Sequence, residues 1–195
     1  MEMRGKPIAA GKSSFDLVDP VRLFSELQLK KNTVLLDLAC GNGSYAIAAS
    51  GYIGDEGKIY AFDLWKEGID ALLRETAARR IKNIHPGVAD ISVEIPVGDN
   101  SIDVCLMATV LHDLVEDKTE TGTLRQVGRI LKPDGLLAII EFNKVEGKPG
   151  PPVQIRLSPA ELDNLLAPYG FRLFKTVEVG PFNYLAIYRK APETG

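Results

Sequence analysis

One stretch near the start of the chain constrains the fold more than any other. Residues 33–36, Thr-Val-Leu-Leu, predict a short buried strand that closes at Asp37. Small residues follow at three alternate positions: Ala39, Gly41 and Gly43. Such residues let the backbone turn sharply and approach a ligand closely. From Ser44 the pattern is helical, so the sequence predicts a strand, a glycine loop and a helix N-terminus, whose free N–H groups suit a carboxylate or phosphate.

Two further predicted strands also end in a carboxylate. Residues 57–62 lead to Asp63, twenty residues after Gly43, where an acidic side chain can accept hydrogen bonds from both hydroxyls of a ribose. Residues 83–89 lead in the same way to Asp90. In an open parallel sheet, ligands bind beyond the carboxyl ends of the strands, so we expect the aspartates to gather at one site. Taken alone, each aspartate is as compatible with capping the following helix or turn as with binding a ligand.

The rest of the chain alternates strands with helices and ends in a hairpin. Further strands are expected at residues 102–107, 136–142, 171–179 and 182–188, and helices at 66–80, 118–131 and 158–169. The last two strands are joined by Gly180-Pro181, a link too short for a parallel crossover. The sequence therefore predicts a single α/β domain over residues 1–195, a three-layer sandwich closed by an antiparallel hairpin.

Three segments carry a resemblance to a known family. Asp37-Leu-Ala-Cys-Gly-Asn-Gly43 resembles the first motif of the class I S-adenosylmethionine-dependent methyltransferases. Residues 101–114 and 131–141 are similar to the fourth- and fifth-strand segments of the branch that contains quinone-ring and arsenite methyltransferases. Ala39 departs from the motif, which usually has its first glycine there. The resemblance implies a Rossmann-like, seven-stranded, mostly parallel sheet and methyl transfer from S-adenosyl-L-methionine to a small-molecule acceptor.

The resemblance also implies roles for individual residues. The helix after the glycine loop would favour the methionine carboxylate, Asp63 would bind the ribose, and Asp90 the adenine amino group. Leu64 and Ile91 would enclose the adenine ring. The expected cofactor-binding residues are Asp37, Ala39, Cys40, Gly41, Gly43, Asp63, Leu64, Asp90, Ile91 and Ala108.

His112 is the candidate for acting on the methyl acceptor. It follows the fourth predicted strand, in an expected loop that faces the cleft, and histidine changes charge near neutral pH. It would orient or deprotonate the acceptor, or alternatively anchor its loop through a hydrogen bond to backbone. Residues 1–18 predict an irregular arm and residues 143–157 a flexible Gly/Pro loop, and both are candidate lids. Phe15 is the expected apolar lid residue, with simple packing as the alternative.

Composition bounds the class of protein. The 195 residues are 45% hydrophobic and 25% charged, which is ordinary for one globular domain. The net charge of −3 argues against a nucleic-acid partner, and no apolar run is long enough to predict a membrane span. Cys40 and Cys105 predict buried, reduced thiols of a cytoplasmic protein, and we expect neither a metal site nor arsenite as substrate. The oligomeric state does not follow from the sequence.

A nicotinamide-dependent dehydrogenase is the strongest alternative. Residues 41–46, Gly-Asn-Gly-Ser-Tyr-Ala, fit the Gly-x-Gly-x-x-Gly/Ala pattern, and Asp63 lies at the right distance. Three features count against it: Asp37 interrupts the apolar strand, the chain has no Tyr-x-x-x-Lys pair, and a closing hairpin would be unusual. A non-catalytic nucleotide-binding protein is the second alternative.

Overall fold

The computed structural model describes residues 11–147 and 149–191. The strands are β1 (Val34–Leu38), β2 (Lys58–Asp63), β3 (Ile84–Val88), β4 (Ile102–Ala108), β5 (Leu131–Phe142), β6 (Phe171–Glu178) and β7 (Asn183–Lys190). The helices are α1 (Pro20–Leu27), α2 (Ser44–Ile53), α3 (Lys66–Arg79), α4 (Leu111–Glu116), α5 (Glu120–Ile130) and α6 (Pro159–Leu166). Single 3-10 turns lie at Phe15–Leu17 and Ala167–Tyr169.

One seven-stranded sheet runs through the molecule in the order β3-β2-β1-β4-β5-β7-β6. Strands β1 to β5 pair in parallel, whereas β7 pairs antiparallel with both β5 and β6. The predicted Rossmann-like sheet with its C-terminal hairpin is thereby confirmed. The chain order reverses beside β1, since β2 lies on one side of it and β4 on the other. Such a switch point leaves a crevice at the carboxyl ends of the strands, where ligands bind in folds of this type.

Both faces of the sheet are covered by helices. Leu35 points into a core cluster shared with α1, α2 and α3, while its neighbours Leu36 and Leu38 point into a second cluster shared with α5 and α6. Successive side chains of a strand face opposite sides, so a strand between two helical layers is apolar throughout. This double burial explains why the central strands read as continuous hydrophobic runs, and it forms the predicted three layers.

The first strand is longer than predicted and contains Asp37. Residues 33–36 were the expected strand, but pairing continues to Leu38, with Asp37 opposite Ala61 of β2 and Leu106 of β4. A charged residue is tolerated there because its carboxylate accepts a hydrogen bond from the backbone N–H of Ala46 in α2 (3.1 Å). The position of the carboxylate is therefore set by the strand and by the first turn of the following helix.

Two other boundaries differ from the predictions. The expected helix over residues 118–131 begins only at Glu120, and a separate six-residue helix, α4, precedes it. His112 therefore lies in a helix and not in the predicted loop. The sequence did not reveal this helix because six residues are too few to show a periodic apolar pattern. Strand β5 begins at Leu131, ahead of the expected residue 136. It pairs with β4 at Leu131 and, after a bulge, again from Leu136 onward.

The loop over residues 143–157, predicted to be flexible, is organised around one arginine in its described part. Arg156 is only 3% exposed, and its guanidinium lies over the ring of Phe142. It donates hydrogen bonds of 2.6–3.0 Å to five backbone carbonyls, those of Asn143, Val145, Gly147, Pro149 and Pro151. Hydrogen bonds from a charged donor are stronger than neutral ones, so this network stabilises the observed conformation of the loop, and its flexibility stays a prediction.

The predicted N-terminal arm is described only from Gly11, and residues 1–10 lie outside the described part of the chain. Within residues 11–147 and 149–191, no helix combines the length and apolar character that a bilayer crossing needs.

Candidate active site

A cavity opens at the carboxyl ends of β1 to β4, and arm residues 11–14 lie along its rim. Nine of the ten residues expected to bind the cofactor line it: Asp37, Ala39, Cys40, Gly41, Asp63, Leu64, Asp90, Ile91 and Ala108. The tenth, Gly43, lies outside the lining, as do His112, Phe15 and the described residues of the 143–157 loop. Of the two candidate lids, the structure places only the arm at this cavity.

Asp63 holds the glycine loop in place. Its Oδ2 accepts a hydrogen bond from the backbone N–H of Gly41, and its Oδ1 accepts one from the N–H of Trp65, both at 2.7 Å. The backbone N–H of Cys40 donates to the carbonyl of Phe62 (3.1 Å), the residue that precedes Asp63 in β2. The end of β2 thus fixes both sides of the loop. Ala39 adopts a left-handed φ of 55°, the conformation that makes glycine the usual residue at this position.

Gly43 has a packing role in this structure. It is the N-cap of α2 with a φ of 78°, and a Cβ at this position would lie 2.5 Å from Cδ1 of Leu72. A Cβ at that distance would force the side chain of the buried Leu72 to shift. The alternate glycines of the sequence motif therefore serve different purposes, since Gly41 faces the cavity and Gly43 lets α2 approach α3.

Asp37 is the most deeply buried carboxylate of the cavity wall, at 1% exposed. Burial raises its pKa to about 7, against the effect of the Ala46 hydrogen bond and with a further contribution from the charge of Asp63. The carboxyl group is therefore poised between its neutral and ionised forms near physiological pH. A cation placed beside it would favour the ionised form.

The adenine end of the predicted site has both polar and apolar walls. Asp90 turns its Oδ1 toward Ser92, whose N–H and Oγ donate to it at 3.1 and 2.6 Å. Ile91 is buried, and Leu64, which directly follows β2, is partly exposed. The carboxylate and these aliphatic side chains line the same cavity, and their contacts with an adenine ring stay a prediction.

The arm is joined to the cavity wall by one hydroxyl network. Ser14 is 4% exposed. Its Oγ lies 2.8 Å from the hydroxyl oxygen of Tyr45 and accepts a hydrogen bond from Oγ1 of Thr109 (3.0 Å). Thr109 has a φ of 52°, which is rare for a β-branched residue and is found at functional sites. Phe15 packs edge-on against the ring of Tyr45, with centroids 5.0 Å apart. This contact corresponds to the packing alternative for Phe15.

His112 points away from the cavity, into the protein. It is 4% exposed, its Nδ1 lies 2.7 Å from Oε2 of Glu141, and its backbone N–H donates to Oε1 of the same carboxylate. Burial lowers the pKa of His112, but the hydrogen bond and charge of Glu141, with the charge of Asp113, more than offset it and raise the pKa. The anchor is thus a buried glutamate, and not backbone as the alternative supposed.

Several cavity residues were not found from the sequence. They are Tyr45, Asp113 and Asp117, whereas Lys12 and Ser14 belong to the arm that was predicted as a lid. Most are brought together by contacts between distant parts of the chain, for which the sequence carries no local signal. Asp113 did carry a local signal, because it stands next to the candidate His112. Adjacent residues of a helix point in different directions, so Asp113 can face the cavity when His112 does not.

The chain matches the methyltransferase-domain family over residues 29–167. It belongs to that family. The methyltransferase prediction is thereby confirmed, and the dehydrogenase alternative is not favoured. A structure of a SAM-dependent methyltransferase from Aquifex aeolicus is 30% identical, with a TM-score of 0.83 over 92% of this methyltransferase and 93% of that chain. A putative type 11 methyltransferase from Sulfolobus solfataricus shares the fold at 24% identity, with a TM-score of 0.71 over 92% of this chain and 96% of that one.

A demethylmenaquinone methyltransferase from Staphylococcus aureus is 26% identical to this methyltransferase over 124 residues. The alignment covers 63% of this chain and 48% of that protein, so the chain spans about half the length of this curated relative.

Proposed function

We propose that the cavity binds S-adenosylmethionine and that the protein transfers its methyl group to a small-molecule acceptor, leaving S-adenosylhomocysteine. The observation that carries this proposal is the convergence of Asp37, Asp63 and Asp90 on one cavity beside the glycine loop. The family match supports it, and so does the similarity to a structure described as a SAM-dependent methyltransferase.

The residues of the cavity fit this ligand. Each carboxylate oxygen accepts more than one hydrogen bond, so Asp63 retains capacity for two ribose hydroxyls while it holds the backbone of Gly41 and Trp65. Asp37 is placed where a positive charge on the ligand would stabilise its ionised form. Leu64 and Ile91 supply apolar surface for a planar ring.

When bound, S-adenosylmethionine supplies a methyl group already activated by the sulfonium charge. The task of the protein is therefore to orient an acceptor behind that group, and orientation of this kind contributes at most about 7–11 kcal/mol. The cavity is also lined by Lys12, Val110 and Leu114, which would give an acceptor both polar and apolar contacts. We infer a quinone-type ring as the first acceptor class to test, because the curated relative is named for a demethylated quinone.

We also infer a cytoplasmic protein without a nucleic-acid or membrane partner. Cys40 and Cys105 are both free and buried, which suits a reducing compartment, and the chain carries a net charge of −3.

Two measurements test the proposal. Calorimetry should show binding of S-adenosylmethionine and of S-adenosylhomocysteine, with NAD and NADP as matched controls that fail to bind. A coupled assay for S-adenosylhomocysteine release should then be run over a panel of hydroquinones, catechols and amines. Binding of NAD in place of S-adenosylmethionine would revive the dehydrogenase alternative, and binding without turnover on any acceptor would favour a non-catalytic protein.

A further inference from the structure

Helix α4 presents two neighbouring side chains to opposite environments. The ring of His112 is buried behind the cavity wall, whereas Asp113 lines the cavity with 40% of its side chain exposed. A carboxylate at this place can contact an acceptor directly, while the imidazole can act only through another group.

The ring of His112 is held between two carboxylates. Nδ1 lies 2.7 Å from Oε2 of the fully buried Glu141, and Nε2 lies 3.6 Å from Oδ1 of Asp113. Since Glu141 also accepts the backbone N–H of His112 (3.2 Å), the carboxylate fixes both the ring and the first turn of α4. A buried anion that accepts from Nδ1–H leaves Nε2 as the ring atom directed at Asp113.

The charges around this pair decide which group holds a proton. Burial raises the pKa of Asp113; the charges of Asp117 and Glu116 act in the same direction, and those of His112 and Lys12 oppose it. On the other side, the charge of Arg156 opposes the rise in the pKa of His112 that Glu141 causes. Burial thus makes the carboxylate of Asp113 more basic than an exposed one, and Glu141 favours the charged form of His112 beside it.

We propose that Asp113 is the catalytic base that takes a proton from the methyl acceptor, and that Glu141 and His112 are positioning residues that hold it at the cavity. This inference rests on the proposed methyl transfer. As the new bond forms between the methyl carbon and the acceptor's nucleophilic atom, the S–CH3 bond breaks and its electron pair stays on sulfur. The nucleophile loses its proton to the carboxylate of Asp113, which later returns the proton to water.

The same geometry restricts the acceptor. A base is useful only if the nucleophile carries a proton at working pH, as a hydroxyl or a protonated amine does. Among the cavity residues in the described part of the chain, five are aspartates and Lys12 alone is basic. A negatively charged group beside the nucleophile would be repelled by Asp113 and Asp117, so the acceptor is neutral or cationic near its reactive atom.

The first experiment compares turnover in matched variants, with the acceptor identified by the S-adenosylhomocysteine assay. Asp113→Asn should lower kcat about 10²–10⁴-fold and leave the calorimetric affinity for S-adenosylmethionine within about twofold. Asp70→Asn is the control, because it removes a carboxylate of the same 40% side-chain exposure as Asp113 at a position on α3 outside the cavity. It should keep kcat within about twofold. Near-normal turnover of Asp113→Asn would overturn the proposal.

The pH dependence of kcat separates catalysis from a structural role. In the wild type kcat should fall on the acidic side as Asp113 becomes protonated, and this limb should be missing from the residual activity of Asp113→Asn. His112→Ala should lower kcat and shift the limb, because Asp113 loses its cationic neighbour. If His112→Ala abolished turnover while Asp113→Asn did not, His112 would be the base and the assignment to Asp113 would be wrong.

A second experiment needs no acceptor and so stands apart from the proposed function. The chain has two histidines, His85 and His112, which NMR can titrate separately. The midpoint of His112 should be lower in both Asp113→Asn and Glu141→Gln than in the wild type, with His85 unchanged in each. An unchanged His112 midpoint in Asp113→Asn would show that the two groups do not interact and would overturn the positioning role. Failure of S-adenosylmethionine to bind the wild type would instead count against the proposed function.

Discussion

The two halves of the cavity are built from different kinds of contact. On the side proposed to bind the methyl donor, around residues 39–43, the side chain of Asp63 accepts hydrogen bonds of 2.7 Å from the backbone N–H groups of Gly41 and Trp65. On the side proposed to bind the methyl acceptor, side chains from remote segments are hydrogen-bonded to one another: Ser14 and Thr109 are 95 residues apart, and His112 and Glu141 are 29 apart. The donor half fixes a backbone shape, and the acceptor half fixes a set of side chains.

This difference has a consequence for specificity. A backbone cradle needs small residues and a carboxylate at set spacings, so few substitutions preserve it. A wall made of side chains can change its residues one at a time without disturbing the sheet. We therefore expect the donor half to determine which methyl donor binds and the acceptor half to determine which molecule is methylated.

The largest effect should come from removing the carboxylate of the donor half. Asp63→Ala removes the expected hydrogen bonds to two ribose hydroxyls, each worth about 1.5–3 kcal/mol for a charged acceptor. Calorimetry should show affinity for S-adenosylmethionine reduced about 10²–10⁴-fold. The variant should also unfold more easily, because the N–H groups of Gly41 and Trp65 lose the carboxylate that accepts from them.

Asp70→Ala is the control for this prediction, since Asp70 makes only a surface ion pair with Lys66 (2.6 Å) on the outer face of α3. Its affinity for S-adenosylmethionine should equal that of the wild type. If Asp63→Ala bound S-adenosylmethionine as tightly as the wild type, the assignment of cofactor binding to the donor half would be wrong.

The next effect concerns the packing behind the donor half. Gly43→Ala forces a left-handed alanine at a φ of 78° and places its Cβ 2.5 Å from Leu72. Strain and overpacking together should lower the free energy of unfolding by about 2–4 kcal/mol, measured by urea denaturation.

A double variant tests the cause of that loss. In the Leu72→Ala background the added methyl group no longer meets a leucine, so Gly43→Ala should cost about 1–2 kcal/mol, the backbone strain alone. An equal cost in both backgrounds would mean that contact with Leu72 contributes nothing.

The same contrast explains what the sequence could predict. The sheet followed from the alternation of strands and helices, and the family from local motifs such as residues 37–43. Nine of the ten residues predicted to bind the cofactor line one cavity, and their contacts with a cofactor stay a prediction. The packing role of Gly43 depends on Leu72, a residue of another helix, and could not be read locally. The anchor of His112 is likewise a glutamate 29 residues away, which only the pairing of β4 with β5 brings near.

A smaller effect should appear in the pH dependence of the donor half. The pKa of Asp37 is raised to about 7, so its carboxyl group is largely neutral below that pH in the unliganded protein. A cationic ligand binds the ionised form better, and affinity for S-adenosylmethionine should rise as pH increases from 5.5 to 7.5, by up to about 30-fold. Asp37→Asn should flatten this dependence, measured by calorimetry across the same range.

The stability of the unliganded protein should show the opposite trend. Between about pH 4 and pH 7 the folded protein keeps a proton on Asp37 that the unfolded chain has lost, so the contribution of this group falls as pH rises through that window. Urea denaturation of the wild type and of Asp37→Asn should differ in this slope. Parallel curves would mean that Asp37 titrates at its ordinary pKa.

The smallest effect should come from the hydroxyl network that joins the arm to the acceptor half. Ser14→Ala removes the hydrogen bonds to Tyr45 and Thr109, which should together cost about 1–2 kcal/mol in ordering the arm, because each buried neutral hydrogen bond contributes about 0.5–1.5 kcal/mol. Hydrogen exchange at residues 14–17 should become faster, and the KM for the acceptor should rise about fivefold, with the affinity for S-adenosylmethionine nearly unchanged. Thr109→Val keeps the β-branched shape and removes only the hydroxyl. If the network couples the arm to the wall, the double variant should lose less than the sum of the two single losses; additive losses would show that the arm and the wall are held independently.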